Sequence, residues 1–118
     1  MAEYTIYHNP RCSKSRQTLA LLEQHGITPR VIKYLETPPN ADTLRDLVKK
    51  LGLPDAHGLV RNKEAEYQQA GLSPASDDAT VIAAIVSHPK LMERPVVVKG
   101  HHAVLGRPPE NVLTLIQG

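Results

Sequence analysis

Two short apolar runs near the C-terminal end constrain this sequence most strongly. Pro95-Val96-Val97-Val98-Lys99 and His102-Ala103-Val104-Leu105 are rich in aliphatic residues, and Gly100 lies in the turn between them. Runs of this kind joined by a glycine-containing turn predict a β-hairpin, whose strands must be antiparallel. Any fold proposed for the chain has to contain this antiparallel pair.

The N-terminal part predicts a different strand arrangement. Residues 4–7 predict a short strand, residues 13–25 a helix, and residues 30–35 a second strand. Two strands connected through a helix are normally parallel. The residues that we expect on the inner side of the helix are Leu19, Ala20 and Leu22.

The middle of the chain predicts helices. Thr37-Pro38-Pro39 breaks the chain, and Asn40 is suited to cap a helix that Gly52 ends. Residues 54–75 predict short helices and loops. A further helix begins at Asp77-Asp78 and stops before Pro89. Its expected inward-facing residues are Val81, Ile82, Ile85 and Val86.

Residues after Gly106-Arg107-Pro108-Pro109 predict a last helix, which carries Val112, Leu113 and Ile116. The element order is therefore β-α-β, a helical middle, and β-β-α. This order predicts an α/β protein with a four-stranded mixed sheet, in the arrangement of the thioredoxin-like fold. We interpret residues 1–118 as one domain with a helical insertion at about residues 40–90.

Composition excludes several function classes. The net charge is only +2, no long basic run occurs, and four tyrosines are the only aromatic residues, which argues against nucleic-acid binding. Met1–Tyr7 lacks the pattern of a signal peptide, and no apolar run approaches membrane-spanning length. We expect a cytoplasmic monomer that binds neither nucleic acid nor membrane.

The single cysteine, Cys12, lies between the first predicted strand and the first predicted helix. Free N–H groups and the helix dipole favour negative charge at this position. Arg11, Lys14 and Arg16 surround it in sequence, and we expect these charges to favour the nucleophilic thiolate. One cysteine cannot form an internal disulfide, and it leaves a structural zinc site short of thiolates, so no metal is expected.

The same loop is suited to bind an oxyanion. The low-molecular-weight phosphatase pattern requires arginine six residues after the cysteine, where this chain has Thr18. Arginines from other segments must therefore contribute to an oxyanion site. The candidates beside structural breaks are Arg61, Arg94 and Arg107.

Four separated motifs occur in an order that resembles the glutaredoxin-coupled arsenate reductase family, in its ArsC-like, YfgD-like form. They cover nearly the whole chain. The motifs are Tyr7-His8-Asn9-Pro10-Arg11-Cys12-Ser13-Lys14-Ser15-Arg16, Tyr34-Leu35-Glu36-Thr37-Pro38-Pro39, Glu93-Arg94-Pro95-Val96-Val97-Val98 and Gly106-Arg107-Pro108-Pro109.

The resemblance implies a thioredoxin-like fold and a reaction in which Cys12 attacks arsenate to form a thiol–arsenate adduct. It implies arsenate binding by Arg61, Arg94 and Arg107. It also implies support of the thiolate by His8 and Ser15. An imidazolium at His8 would stabilise a thiolate, and the sequence leaves open whether His8 has this role or is only the last residue of the strand. No cofactor is expected to be bound.

The presence of a single cysteine also indicates where the electrons for the reaction come from. After the attack no second protein thiol is available to resolve the adduct, so reducing equivalents must come from outside the chain. This agrees with the use of glutathione and glutaredoxin that the resemblance implies.

Two other functions remain open from the sequence. One is a redox-responsive regulator or adaptor of the related Spx type, although Ser15 stands where a paired CxxC would need its second cysteine. The other is a general glutathione-dependent thiol oxidoreductase, which would need the thiolate but not three arginines.

Overall fold

The computed structural model describes residues 4–117, which divide into two compact units. The first contains the chain up to Thr37 and from Arg94 onward, and the second contains Pro38–Glu93. The interpretation of the chain as one domain stays a prediction.

The first unit contains a four-stranded mixed sheet. Its strands are β1 (Tyr4–His8), β2 (Arg30–Lys33), β3 (Val96–Lys99) and β4 (His102–Leu105), in the order β2-β1-β3-β4. β1 is parallel to β2 and antiparallel to β3, and β3 and β4 form the predicted hairpin. The predicted element order and mixed thioredoxin-like sheet are confirmed. β2 is two residues shorter than predicted because the chain turns after Lys33, whose carbonyl oxygen accepts from the N–H groups of Glu36 and Thr37.

Helix α1 (Ser13–Gln24) connects β1 to β2, and its buried face differs from the predicted one. Ser15, Thr18 and Leu22 are the buried residues of this helix. Leu19 is half-buried, and Ala20 is exposed, so its assignment to the inner face was wrong. Two polar residues replace the apolar ones that the periodicity favoured, because their hydroxyl groups find hydrogen-bond partners inside the unit.

The core of the first unit lies between the sheet and its helices. The chain after β4 forms a 3₁₀ turn (Pro109–Val112) and then a short helix, α5 (Leu113–Gln117). Burial of the apolar side chains is the main stabilising contribution here. The buried members of this core are Ile6, Leu22, Val97, Val112 and Leu115.

The second unit is helical. It contains α2 (Ala41–Leu51), α3 (Ala65–Gln69) and α4 (Asp78–Ser87), with 3₁₀ turns at Ala56–Leu59 and Pro89–Leu91. The Asn40 side chain accepts from the Thr43 N–H at 2.8 Å and caps α2 as predicted. Gly52 ends α2 with a left-handed backbone (φ 70°), a conformation that glycine adopts without a Cβ penalty.

One prediction for the second unit was wrong. Val81, Ile82 and Ile85 of α4 are buried as expected, but Val86 is 38% exposed. The buried fourth position is Ala84. Each residue turns the helix by about 100°, so the buried side is centred near Val81 and Ile85, and Val86 lies beyond its edge. Within the described residues, no helix is both long and apolar enough to cross a bilayer.

Candidate active site

The candidate site lies where β1 ends and α1 begins. Cys12 occupies the N-cap position of α1 with an extended backbone (φ −94°, ψ 122°), and it is only 9% exposed. The Cys12 N–H donates to the Asn9 carbonyl oxygen at 3.0 Å, which closes the loop before the helix. The sulfur therefore lies beside the unsatisfied N–H groups of the first helical turn.

The pKa of the Cys12 thiol is lowered from its ordinary value. Burial acts to raise this pKa, but the backbone N–H groups of Ser15 and Lys14 and the charges of Arg94 and Arg107 outweigh burial. Hydrogen bonds and positive charge both stabilise the anion more than the neutral thiol. The site thus favours the thiolate, as the sequence predicted.

The cations responsible are not the expected ones. Arg11 and Lys14 have exposed side chains, and Arg16 donates from Nη1 to the Pro10 carbonyl oxygen at 2.9 Å. None of these three side-chain charges is among the causes of the lowered Cys12 pKa, so the prediction that they favour the thiolate was wrong.

The hairpin brings Arg94 and Arg107 together. Val96 pairs with Leu105 across β3 and β4, and the Gly106 N–H donates to the Pro95 carbonyl oxygen at 2.9 Å. Arg107 Nη1 lies 3.5 Å from the Arg94 carbonyl oxygen. Both arginines directly precede cis-prolines.

The register of the sheet places the start of β3 beside the end of β1, which leads into the cysteine loop. Tyr7 of β1 pairs with Val96 of β3, so the C-terminal end of β1 lies beside the segment that follows Arg94. Cys12 and the two arginines, which are far apart in sequence, thus belong to the same end of the sheet.

His8 and Ser15 form a buried pair at the junction of β1 and α1. His8 Nδ1 lies 2.6 Å from Ser15 Oγ, and the Asn9 N–H donates to the same oxygen at 3.0 Å. Burial, followed by the charges of Lys33 and Arg16, lowers the pKa of His8. A neutral imidazole is therefore favoured because burial disfavours the charged form, so His8 does not offer the thiolate the charge of an imidazolium.

Thr18 and Gly106 form a contact that sequence reasoning missed. Thr18 Oγ1 donates to the Lys14 carbonyl oxygen at 2.8 Å and lies 3.3 Å from the Gly106 carbonyl oxygen. A Cβ at Gly106 would lie 2.5 Å from Thr18 Oγ1 and 2.7 Å from Pro95 Cγ. This close approach packs α1 against the turn that carries Arg107. The sequence signal was the helical spacing of Ser15, Thr18 and Leu22.

Arg61 lies in the second unit. Its backbone N–H donates to the Leu91 carbonyl oxygen at 2.7 Å, and Val60 and Met92 form an isolated antiparallel bridge. Its guanidinium forms a salt bridge with Glu64, with Nη1 and Oε1 separated by 2.6 Å. Five of the six predicted site residues thus lie in the first unit, and Arg61 lies in the second. Within residues 4–117, no group of three or more His, Cys, Asp or Glu residues is arranged to hold a metal ion.

Comparison with known proteins identifies the family. The ArsC family model matches residues 7–115, which include every motif described above. The chain belongs to the ArsC family.

Individual relatives agree with this membership. The chain is 54% identical over 112 residues to an uncharacterised protein named YfgD from Escherichia coli K12, covering 94% of both chains. It is 49% identical over 113 residues to a Neisseria meningitidis serogroup A protein named arsenate reductase, covering 95% of this chain and 97% of the relative.

A solved structure also agrees with the ArsC fold seen here. The structure named arsenate reductase from Vibrio cholerae aligns with a TM-score of 0.92 at 50% identity, covering 96% of this chain and 97% of that chain. The thioredoxin-like sheet and the helical segment between β2 and β3 thus belong to the family fold.

Proposed function

We propose that this ArsC-family protein is an arsenate reductase whose nucleophile is Cys12. The observation that carries the proposal is a thiol at the N-terminus of α1 whose pKa is lowered, against burial, by two backbone N–H groups and by Arg94 and Arg107. Thiolate is the reactive form of cysteine. The names of the relatives from Neisseria meningitidis and Vibrio cholerae support arsenate as the substrate.

Arg94 and Arg107 serve two purposes in this proposal. Their charges favour the thiolate before the substrate arrives, and their planar guanidinium groups are suited to bind the oxygens of a tetrahedral oxyanion. They also offset the repulsion between an anionic nucleophile and an anionic substrate. The backbone N–H groups of Lys14 and Ser15 hold the sulfur that attacks arsenic.

The proposed reaction has two stages, and each stage consumes one thiol from outside the chain and forms one disulfide. The Cys12 sulfur attacks arsenic(V), an As–S bond forms, and one arsenate oxygen leaves as water after protonation. A glutathione thiol then forms a disulfide with Cys12, and the As–S electron pair stays on arsenic. Arsenic is thereby reduced by two electrons to arsenite, while two sulfurs are oxidised.

Glutathione and glutaredoxin regenerate the enzyme in this proposal. The remaining mixed disulfide between Cys12 and glutathione needs a further thiolate, and the chain has no second cysteine to supply it. Thiolate attack by glutaredoxin on the glutathione sulfur releases the Cys12 thiolate. We place this chemistry in the cytoplasm, where thiols are kept reduced.

Roles for the remaining predicted residues complete the proposal. Ser15 supports the thiolate through its backbone N–H, and the neutral His8 imidazole positions Ser15 through its hydroxyl group. Arg61 is a further arsenate ligand in this proposal, because it matches an oxyanion-binding arginine of the family that the sequence resembles. Since its guanidinium is paired with Glu64, arsenate must share or replace this partner.

The test is NADPH oxidation coupled through glutathione reductase, glutathione and glutaredoxin, with and without arsenate. We expect arsenate-dependent turnover that Cys12→Ser abolishes and a raised KM for arsenate in Arg61→Gln. Arsenate-independent reduction of a glutathione mixed disulfide would instead support a general thiol oxidoreductase. Absence of both activities, despite a reactive thiol, would favour the regulator or adaptor.

A further inference from the structure

A groove of about 440 Å³ opens on the first unit beside the cysteine loop. One wall is the chain segment that leaves β1, and the other is the segment that leaves β2. Its volume falls within the roughly 300–1,000 Å³ typical of small-molecule sites. The lining residues include His8, Asn9, Arg11, Lys33, Leu35 and Glu36.

The groove carries two positive charges and one negative charge. Arg11 and Lys33 supply the cations and Glu36 supplies the carboxylate, and all three residues are exposed. In the part of the chain that the structure describes, none of these three side chains forms a salt bridge. Their charges are therefore available to a ligand.

The positive charge extends to the inner end of the groove. Lys33 is the second largest cause, after burial, of the lowered pKa of His8. An anionic group entering here meets a positive field without displacing a protein carboxylate. Leu35 adds apolar surface, because its side chain remains 43% exposed.

The groove adjoins the reacting sulfur in the chain. The wall formed by His8, Asn9 and Arg11 continues directly into Cys12. Two hydrogen bonds hold this wall in shape, from the Cys12 N–H to the Asn9 carbonyl oxygen and from Arg16 to the Pro10 carbonyl oxygen. The arginines proposed to bind arsenate, Arg94 and Arg107, are not among the lining residues.

We propose that this groove binds glutathione, with its two carboxylates on Arg11 and Lys33 and its ammonium group on Glu36. The inference rests on the proposed function, in which glutathione is the reductant. Glutathione carries two carboxylates and one ammonium group around a central thiol, which is the charge set that the groove complements. Arsenate and glutathione then bind to different residues, and Cys12 directly follows the groove wall in the chain.

The direct test uses S-methylglutathione, which binds but cannot react. Addition to the ¹⁵N-labelled full chain should shift the amide resonances of Asn9, Arg11, Lys33 and Glu36. Lys33→Ala should weaken binding by about fivefold, the size expected for one partly exposed ion pair. The matched control is Arg30→Ala, which removes an exposed cation from the same strand, outside the groove, and should leave the affinity unchanged.

Several outcomes of the binding test would overturn the inference. They are no detectable binding of S-methylglutathione, shifts confined to another surface, and equal weakening by Lys33→Ala and Arg30→Ala. Far-UV circular dichroism of both variants shows whether they fold. Shifts induced in the groove by glutaredoxin, but not by S-methylglutathione, would also overturn it and would assign the groove to the protein partner.

A kinetic test separates this inference from the proposed function. In the coupled assay, Lys33→Ala should raise the KM for glutathione by about fivefold and leave the KM for arsenate unchanged. If turnover depends on glutathione but Lys33→Ala leaves its KM unchanged, the groove assignment fails and the reductase remains. If S-methylglutathione binds in the groove of a protein without arsenate turnover, the proposed reductase fails and the groove assignment remains.

Discussion

At the scale of single residues, the reactivity of Cys12 depends on groups that are distant from it in sequence. Arg94 and Arg107, which the hairpin brings together, lower the Cys12 pKa together with two backbone N–H groups, although Arg107 is as exposed as the cations next to Cys12 in sequence. Because the Coulomb interaction strengthens as the distance falls, the fold rather than the sequence decides which charges act on the sulfur.

This arrangement predicts different effects for two arginine substitutions. Arg94→Met should raise the Cys12 pKa, because a cation that favours the thiolate is removed. It should also lower kcat/KM for arsenate about 10- to 100-fold, the usual loss for a hydrogen bond to a charged group. The pH dependence of iodoacetamide alkylation measures the thiol directly. Arg11→Met is the control, and an equal shift in both variants would contradict the assignment.

The two contributions of Ser15 can also be separated. Its backbone N–H lowers the Cys12 pKa, while its hydroxyl group bonds with His8 and Asn9. Ser15→Ala keeps the N–H, so the pH dependence of alkylation should hardly change. It removes a partner from two buried or half-buried groups and should cost about 1–3 kcal/mol of unfolding free energy.

Urea unfolding of Ser15→Ala measures that loss of stability. Ser13→Ala is the matched control, because Ser13 is exposed in the same helical turn. If Ser15→Ala raised the thiol pKa as strongly as Arg94→Met, the hydroxyl rather than the backbone would support the thiolate.

At the scale of elements, the sequence predicted strands and helices well where apolar periodicity and turn residues agreed. The hairpin around Gly100 and the cap at Asn40 are examples, since local chemistry decides both. It failed for the inner face of α1, where Ser15 and Thr18 are buried. Polar residues become buried when partners from other segments satisfy them, and a single helix pattern does not contain those partners.

Replacement by alanine should destabilise the protein for different reasons at Gly52, which ends α2, and at Gly106, which follows β4. Gly52→Ala places a Cβ at φ 70° with no atom within 4 Å, whereas Gly106→Ala places one against Thr18 and Pro95. The first should cost roughly 1–2 kcal/mol through backbone strain. The second should cost about 1–3 kcal/mol through overpacking.

Only Gly106→Ala should also alter the thiol, because it forces the turn that carries Arg107 away from α1. Urea unfolding and alkylation of both variants, at several pH values, test this difference. Normal alkylation in a destabilised Gly106→Ala variant would contradict a positioning role for the contact. Altered alkylation in Gly52→Ala would show that loss of stability alone changes the site.

At the scale of the whole molecule, the family motifs predicted the fold class and the candidate residues. They did not predict how the site lowers the Cys12 pKa. Arg61 illustrates the limit, because its motif indicates an arsenate ligand while its guanidinium is paired with Glu64. A motif records residue types and order, whereas charge, burial and pairing depend on three-dimensional packing.

Burial of His8 predicts how the stability of the whole protein varies with pH. The pKa of His8 lies below its ordinary value of 6.5. Below pH 6.5 the unfolded chain therefore binds a proton that the folded protein does not, and the free energy of unfolding falls as the pH falls toward the folded pKa. The lowered pKa of Cys12 acts in the same direction at higher pH, where stability rises toward pH 9.

Urea unfolding by circular dichroism between pH 5 and 9 measures both dependences. His8→Asn keeps a neutral hydrogen-bonding side chain and should flatten the curve below about pH 6.5, whatever its absolute stability. Cys12→Ser should flatten the rise toward pH 9, so each variant is the control for the other. An unchanged acid slope in His8→Asn would mean that His8 is protonated in the folded protein. The positive charge of His8 would then also stabilise the Cys12 thiolate.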